Sequence, residues 1–432
     1  MKLKSCTCFL LLAGSACVFA APFRYSVAPD HADHIYACGE KAVFTVTVCE
    51  TNGLPARTGS VRARLDNFGP GIVAEADWDL SVTNVFALSG ALKEPGFLRL
   101  RLDSKGTPTL HWGVGYEPTR IEKGSPSPDD FDSFWADARA RFAREVPAEP
   151  EITPIPERST AEFDFYRISF ASYGRRVYGY LTVPKNKALA PYPVDFEVNA
   201  AGFGGWTNDL TGRKDRICLR FSVYPFPPDW RWKEINLKEK YDSMNADCRA
   251  KYGTAYSCAG ISKSREDYFF YPVILALDRA VDWAVKRPDA DRTRVFYHGT
   301  SQGGGFGFYL VGLNHSFTRA GFFVPAATDT MGYLKGRQSG WPHIIEAQKA
   351  ENKSAAEANA PYFDGANFAA RIRCPVRVAV GFADTTCAPC AVYAAFNAIP
   401  VADKGIFHGF GMGHGCRPEF YKKILDWLDG TH

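Results

Sequence analysis

The run RVFYHGTSQGGGFGF, residues 294–308, constrains the fold more than any other stretch of the chain. An apolar strand ends at Gly299, Ser301 follows, and Gly303, Gly304, Gly305 and Gly307 open what reads as a helix. A strand that turns sharply into a helix holds the corner residue in a strained backbone conformation. Side chains two positions before and after would crowd that corner, so glycine suits both places. The corner side chain is then presented at the carboxyl edge of a sheet, beside a helix N-terminus. Ser301 is therefore a candidate nucleophile. The alternative is a serine that caps a helix whose glycines serve close packing.

The surroundings supply the sheet. FDFYRISF and RRVYGYLTVP read as a hairpin around Tyr173-Gly174, PYPVDFEVNA as a strand running into AGFGGW, and residues 268–288 as a helix closed by Pro288. RAGFFVPA and CPVRVAVGFAD are further apolar strands, and EFYKKILDWLDG is a last helix. Buried strands alternating with helices predict an α/β fold, a mostly parallel sheet with helices on both faces. Ahead of it, KAVFTVTVCE and FLRLRLDS alternate apolar and polar residues, with Asn52-Gly53 and Gly69-Pro70 as turns. Residues 21–115 are expected to form a small all-β, sandwich-like domain, either a carbohydrate-binding module or a packing and spacing element. The stretch 116–128 reads as a linker, with the α/β domain over 129–432. Ser127 is the expected cap of the domain's first helix, with Pro128 at its first position and Asp129 and Asp130 at its positive end. Phe131, Phe134, Trp135, Ala138 and Phe142 then form one apolar face, which is core.

A serine nucleophile needs a base, and the base needs an orienting acid. In an α/β-hydrolase the chain order is serine, then acid, then histidine. Asp384 stands where the strand CPVRVAVGFAD ends, and beyond it lie only His408, His414 and His432. His414 sits in the glycine-rich GFGMGHGCRPEF before the last helix, a loop able to deliver an imidazole. His408 belongs to a strand and His432 is terminal. Ser301, Asp384 and His414 are thus the expected catalytic set. The oxyanion hole is assigned to the backbone N–H groups of Gln302, after the serine, and Phe203, in the glycine turn after an earlier strand. Trp206 and Phe306 are candidates for the substrate pocket, equally consistent with core packing.

The first twenty residues carry Lys2 and Lys4, an apolar run and a small-x-small site at Val18-Phe19-Ala20. That is a secretory signal, so the protein is expected to be exported, to a periplasm or outside the cell. Cys17 is a poor match to a lipid-attachment site, and no later stretch is long and apolar enough to span a bilayer. The formal net charge is +4 over 432 residues, with no basic block, which argues against nucleic acid as a partner. Nine cysteines lie after the leader, an odd number, with Cys38 and Cys49 the favoured disulfide, on adjacent strands. Cys387 and Cys390 form a C-x-x-C without the second pair or histidines of a tetrahedral zinc site. They read as structural thiols or a disulfide, and neither metal nor cofactor is expected.

With these residues in place, the chain from about 125 onward resembles the acetyl xylan esterase and cephalosporin C deacetylase family, carbohydrate esterase family seven. SPDDFDSFWADA is similar to the family's opening helix, RRVYGYLTVPKN to its second strand and EDYFFYPVILALDRAVDWA to its tyrosine-rich helix. GTSQGGG is similar to its nucleophile turn and FADTTCAPCAVYAAFNAI to its acid loop. The resemblance implies an α/β-hydrolase that removes acetyl groups from acetylated saccharides without a metal. It also implies the same roles for Ser301, Asp384, His414, Phe203 and Gln302. The family's usual histidine-glycine-tyrosine-glycine-glycine is replaced by Ala201-Gly202-Phe203-Gly204-Gly205, and Gly415 stands where glutamate usually follows the histidine. Residues 206–267 fit the family poorly. These departures bear on the substrate more than on the chemistry. The family's ring-like homo-oligomer is left open here, since the added β domain could alter it. Two other readings remain at this level: a hydrolase of the same fold acting on a bulkier ester or a peptide, and a polysaccharide-binding protein without turnover.

Overall fold

The computed structural model of the chain describes residues 22–203, 210–232 and 234–430. The leader and His432 therefore lie outside the described residues.

The N-terminal region is two antiparallel-rich sheets facing one core. Strands β1 (Phe23–Pro29), β3 (Ala42–Glu50) and β6 (Val85–Gly90) form one sheet. Strands β2 (Ile35–Tyr36), β4 (Ser60–Asp66), β5 (Ile72–Asp79), β7 (Gly96–Ser104) and β8 (Thr107–Tyr116) form the other, in the order β2-β8-β7-β4-β5. The alternation read in the sequence sets the inner faces. Phe44, Val46 and Val48 of β3 meet Val61, Ala63 and Leu65 of β4 and Leu98, Leu100 and Leu102 of β7 in one buried cluster. Burying each large aliphatic side chain contributes about 1.5–3 kcal/mol.

The favoured disulfide is not formed: Cys38 and Cys49 are both free thiols, as are the other described cysteines. Cys49 lies on β3 opposite Arg24 of β1, whereas Cys38 follows β2 in the other sheet, beside Glu117. The two are not on adjacent strands, because β2 pairs with β8 and not with β3.

The segment expected to be a linker is packed down along its length. Ile121 and Ser125 are buried, and Lys123 donates to Ser125 O, Ser127 Oγ and Asn367 Oδ1 at 2.6–2.9 Å. A Cβ on Gly124 would lie 2.4 Å from the Met331 carbonyl oxygen, so glycine is needed for this approach. Helix α1 (Phe131–Glu145) starts later than expected, with Asp130 and not Ser127 in the cap position. Ser127 is instead held by Lys123.

The main sheet has nine strands in the order β17-β16-β15-β14-β12-β13-β11-β10-β9. They are β9 (Glu151–Pro154), β10 (Phe163–Ser172), β11 (Arg175–Pro184), β12 (Tyr192–Val198), β13 (Ile217–Ser222), β14 (Ala290–Thr300), β15 (Arg319–Phe323), β16 (Val376–Gly381) and β17 (Lys404–Gly409). From β13 to β17 every pairing is parallel, and β9, β10 and β11 complete the sheet antiparallel. Helices α2 (Leu237–Tyr252), α3 (Tyr271–Lys286), α4 (Gln302–Leu313), α5 (Lys353–Asn359), α6 (Gly365–Ala369), α7 (Pro389–Ala398) and α8 (Pro418–Asp429) complete the α/β-hydrolase architecture. Helix α8 covers one face through Phe420, Ile424, Trp427 and Leu428, against Phe296, Phe323 and Ala379. The α3 and α4 side chains join the large cluster on the other face. Both β13 and α2 fall in the stretch 206–267, which the sequence did not resolve. The carboxyl ends of the parallel strands, where open α/β sheets place their sites, gather the loops described next.

Candidate active site

Ser301 has φ 55° and ψ −117°, a conformation that L-residues seldom adopt. Its backbone is pinned on both sides. The Ser301 N–H donates to Phe323 O, and the Ser301 carbonyl accepts from Gly305 and Ala326 N–H, all at 2.9 Å. The glycines are required by backbone contact. A Cβ on Gly299 would lie 2.6 Å from Gly303, and one on Gly303 would lie 2.1 Å from Val198 O of the neighbouring strand.

His414 Nε2 lies 2.9 Å from Ser301 Oγ, and its Nδ1 lies 2.9 Å from Asp384 Oδ2. A carboxylate can only accept, so Nδ1 donates to Asp384 and the Nε2 lone pair faces the serine hydroxyl. Asp384 is fully buried, and its other oxygen accepts from Thr386 N–H at 2.8 Å and Cys387 N–H at 2.9 Å. The carboxylate is thereby fixed in one orientation. His408, by contrast, sits on β17 with Nε2 2.6 Å from the Tyr393 hydroxyl, away from the serine.

Asp384, Cys387 and His414 also bring three donor atoms within 4.8 Å of one another. They are poor company for a cation. Burial and the Asp384 charge push the Cys387 thiol well above its usual range, so a cation there would have to displace its proton. Both Asp384 oxygens are already engaged.

Gln302 opens α4, so its backbone N–H has no acceptor within the helix. Its side chain is buried, accepting from the Tyr256 hydroxyl at 2.7 Å and donating to Asn199 O at 3.2 Å. On the other side of the cleft, the Gly202 carbonyl accepts from the Tyr224 hydroxyl at 2.9 Å. The Phe203 ring meets Trp232 edge-on at 5.5 Å.

A cleft of about 600 Å³ opens in front of Ser301 and His414. Tyr241, Asn245 and Arg249 of α2 line it together with Tyr256, Trp341 and the Ala201-Gly202 turn. A family model described as acetyl xylan esterase (AXE1) matches residues 119–430. The chain belongs to the acetyl xylan esterase family. It is a carboxylic ester hydrolase, a serine esterase of the α/β-hydrolase type.

The acetyl esterase Axe7A of Xylanibacter ruminicola is 30% identical over 421 residues, covering 95% of this chain and 91% of its own. Coverage that wide includes most of the N-terminal β region, although the family model begins only at residue 119. Two solved acetyl xylan esterases share the fold with TM-scores of 0.59. That from Paenibacillus sp. R4 is 20% identical, and that from Thermoanaerobacterium sp. JW/SL YS485 is 18% identical. In each case 73% of this chain covers 98% of the other.

Within this acetyl xylan esterase architecture, one candidate pocket residue is misplaced by the sequence. Phe306 is buried on α4, edge-on to Phe270 at 4.9 Å and Tyr309 at 5.4 Å, so it belongs to the core and not to the cleft. Trp206 lies outside the described residues. The α2 residues Tyr241, Asn245 and Arg249, and Trp341, were missed. Nothing in LKEKYDSMNADCRAKY marks a cleft wall, because its face over the serine is set by docking and not by periodicity.

Proposed function

We propose that this protein is an exported serine esterase that removes O-acetyl groups from acetylated saccharides through an acyl-enzyme on Ser301. The observation that carries the reading is the continuous hydrogen-bonded line from Asp384 through His414 to Ser301, with both links at 2.9 Å. His414 takes the serine proton as Oγ attacks the acetyl carbonyl. The Phe203 and Gln302 N–H groups receive the developing oxyanion. His414 then returns the proton to the departing sugar hydroxyl, and water clears the acetyl group by the same route. Asp384 holds the imidazole in the tautomer that leaves Nε2 free.

The substrate class rests on the family, on Axe7A being named an acetyl esterase, and on the cleft. Arg249 offers hydrogen-bond donors and Trp341 an aromatic face, a combination suited to sugar hydroxyls and ring faces. Export rests on the leader read in the first twenty residues, and mature protein recovered outside the cytoplasm should begin at Ala21. Among the described residues no helix is long and apolar enough to cross a membrane.

The test is hydrolysis of chromogenic acetyl and butyryl esters and of acetylated oligosaccharides by the parent and by Ser301→Ala. Acetyl turnover that disappears in well-folded Ser301→Ala, with an acetylated Ser301 peptide trapped from the parent, is the expected result. Turnover that survives the substitution rejects the acyl-enzyme, and a preference for butyryl rejects the acetyl assignment.

A further inference from the structure

Asp384 and His414 come from different loops, and those loops are bound to each other. Phe382 N–H donates to Gly409 O at 3.1 Å, and Ala383 N–H donates to Met412 O at 3.0 Å. A Cβ on Gly381 would lie 2.5 Å from Met412 O, so the two backbones run in contact. The base loop nevertheless carries glycine at 409, 411, 413 and 415, and at Gly413 and Gly415 nothing lies within 4 Å of the space a Cβ would fill. A chain so free around His414 needs a restraint from outside the loop.

That restraint comes from the N-terminal β region. Midway along β8, the Trp112 ring lies against Gly411, where a Cβ would sit 2.4 Å from it and where φ is +62°. The next residue, Gly113, is pressed onto the acid loop, since a Cβ there would lie 1.9 Å from Phe382 O. Phe97 of β7 meets Phe382 edge-on at 4.9 Å, and His34 stacks on Phe410 at 4.1 Å. A second strut starts from the β4–β5 turn. Phe68 O accepts from Gln338 N–H at 2.6 Å, and Gln338 Nε2 donates to Thr385 O at 2.8 Å, beside Asp384.

We propose that the β region is a buttress for the acid and base loops, and that Trp112 is the positioning residue through which it sets His414 against Ser301. The inference rests on the catalytic reading of Ser301, Asp384 and His414 given above. Trp112 touches no reacting atom. It acts by narrowing the positions open to the loop, and the return is in the productive population of the Nε2–Oγ contact. Misplacement of a catalytic group by about 1 Å can cost about a hundredfold in rate.

The test uses the full-length chain. Trp112→Ala is compared with Trp112→Phe and with Trp78→Ala, which removes a ring stacked on Phe86 at 4.7 Å within the same β region. The expected result for Trp112→Ala is a kcat on a small acetyl ester lowered about ten- to a hundredfold, with KM within about twofold. The acid limb of its pH–rate profile should move as well, and Trp112→Phe should recover most of the kcat. Trp78→Ala should lose thermal stability while keeping kcat. The buttress is rejected if folded Trp112→Ala keeps the parent's kcat and pH profile, or if Trp78→Ala loses kcat equally at an equal drop in Tm. Should Trp112→Ala not fold, the same criteria apply to Trp112→Leu. Ser301→Ala run alongside separates the two failures. An inactive Ser301→Ala beside an unimpaired Trp112→Ala sinks the buttress alone, whereas an active Ser301→Ala sinks both.

Discussion

The two walls of the cleft are built on different principles. On one side stand the serine turn and the acid and base loops. There backbone presses on backbone: Gly303 against Val198 O, Gly381 against Met412 O, and the Ser301 carbonyl shared by two N–H groups. On the other side stands α2, which offers side chains. Arg249 is exposed, and its guanidinium makes no salt bridge or hydrogen bond among the described residues. Asp242 is exposed and paired with Lys238 one turn away. At these contacts the first wall leaves no room for an added atom, whereas the exposed side chains of the second can be exchanged at little cost to the fold. In the proposed function, chemistry falls to the wall held by backbone contacts and substrate choice to the wall of exposed side chains.

Four substitutions separate these roles, from the largest effect to the smallest. Asp384→Asn keeps the shape of the first wall but lets His414 adopt the wrong tautomer, and steady-state kinetics should show kcat lower by about 10⁴-fold with little change in KM. Gly303→Ala breaks the same wall sterically. A methyl group 2.1 Å from Val198 O forces the turn apart, and thermal melting should report a loss of about 3 kcal/mol or more together with activity. Arg249→Ala should leave kcat/KM on a small chromogenic acetate within about twofold, while KM for an acetylated oligosaccharide rises about tenfold, the scale of one charged hydrogen bond. An equal effect on both substrates would place Arg249 with the first wall.

The smallest effect lies under the serine turn, on β14. His298 is mostly buried, 3.2 Å from Asp195 and 3.8 Å from Glu197. Burial alone would lower its pKa, but the two carboxylates override that and raise it to about 9. The folded value exceeds the unfolded one, so the stabilisation is fully present below about pH 6.5 and is lost as pH rises through 9. His298→Gln should melt lower than the parent near pH 6, and the gap should close by pH 10 in denaturant titrations. A gap that does not change with pH would mean that His298 contributes through packing alone.

The same contrast explains what could be read from the sequence. The serine turn was legible because its backbone contacts demand glycine, and glycine at 299 and 303 is visible as letters. The line from Ser301 through His414 to Asp384 was legible because chain order and the scarcity of histidine left few choices. The α2 wall was not, since which face of an amphipathic helix meets a cleft depends on how an insertion docks. Strand β13 escaped for a related reason: it enters the sheet between β12 and β11, out of sequence order. Phe306 looked available because it follows the nucleophile on the same helix, but that face of α4 is turned into the ring cluster with Phe270. The disulfide expected between Cys38 and Cys49 failed on topology, because nearness in sequence hid their separation onto two sheets.

The seating of Trp112 and Gly113 against Gly411 and Phe382 also bears on how the chain matures. The β region is synthesised first, yet the surface it must cover, from Phe382 to Phe410, arrives only near the end of translation. Contacts between such distant stretches form late and close slowly. Until then Phe97 and Trp112 stay bare, an apolar face open to neighbouring nascent chains. A chain cut short before residue 380 would keep that face permanently uncovered, and so would a β region expressed alone. A swap of the β region between relatives should therefore carry Trp112 and Gly411 together, as one unit of inheritance.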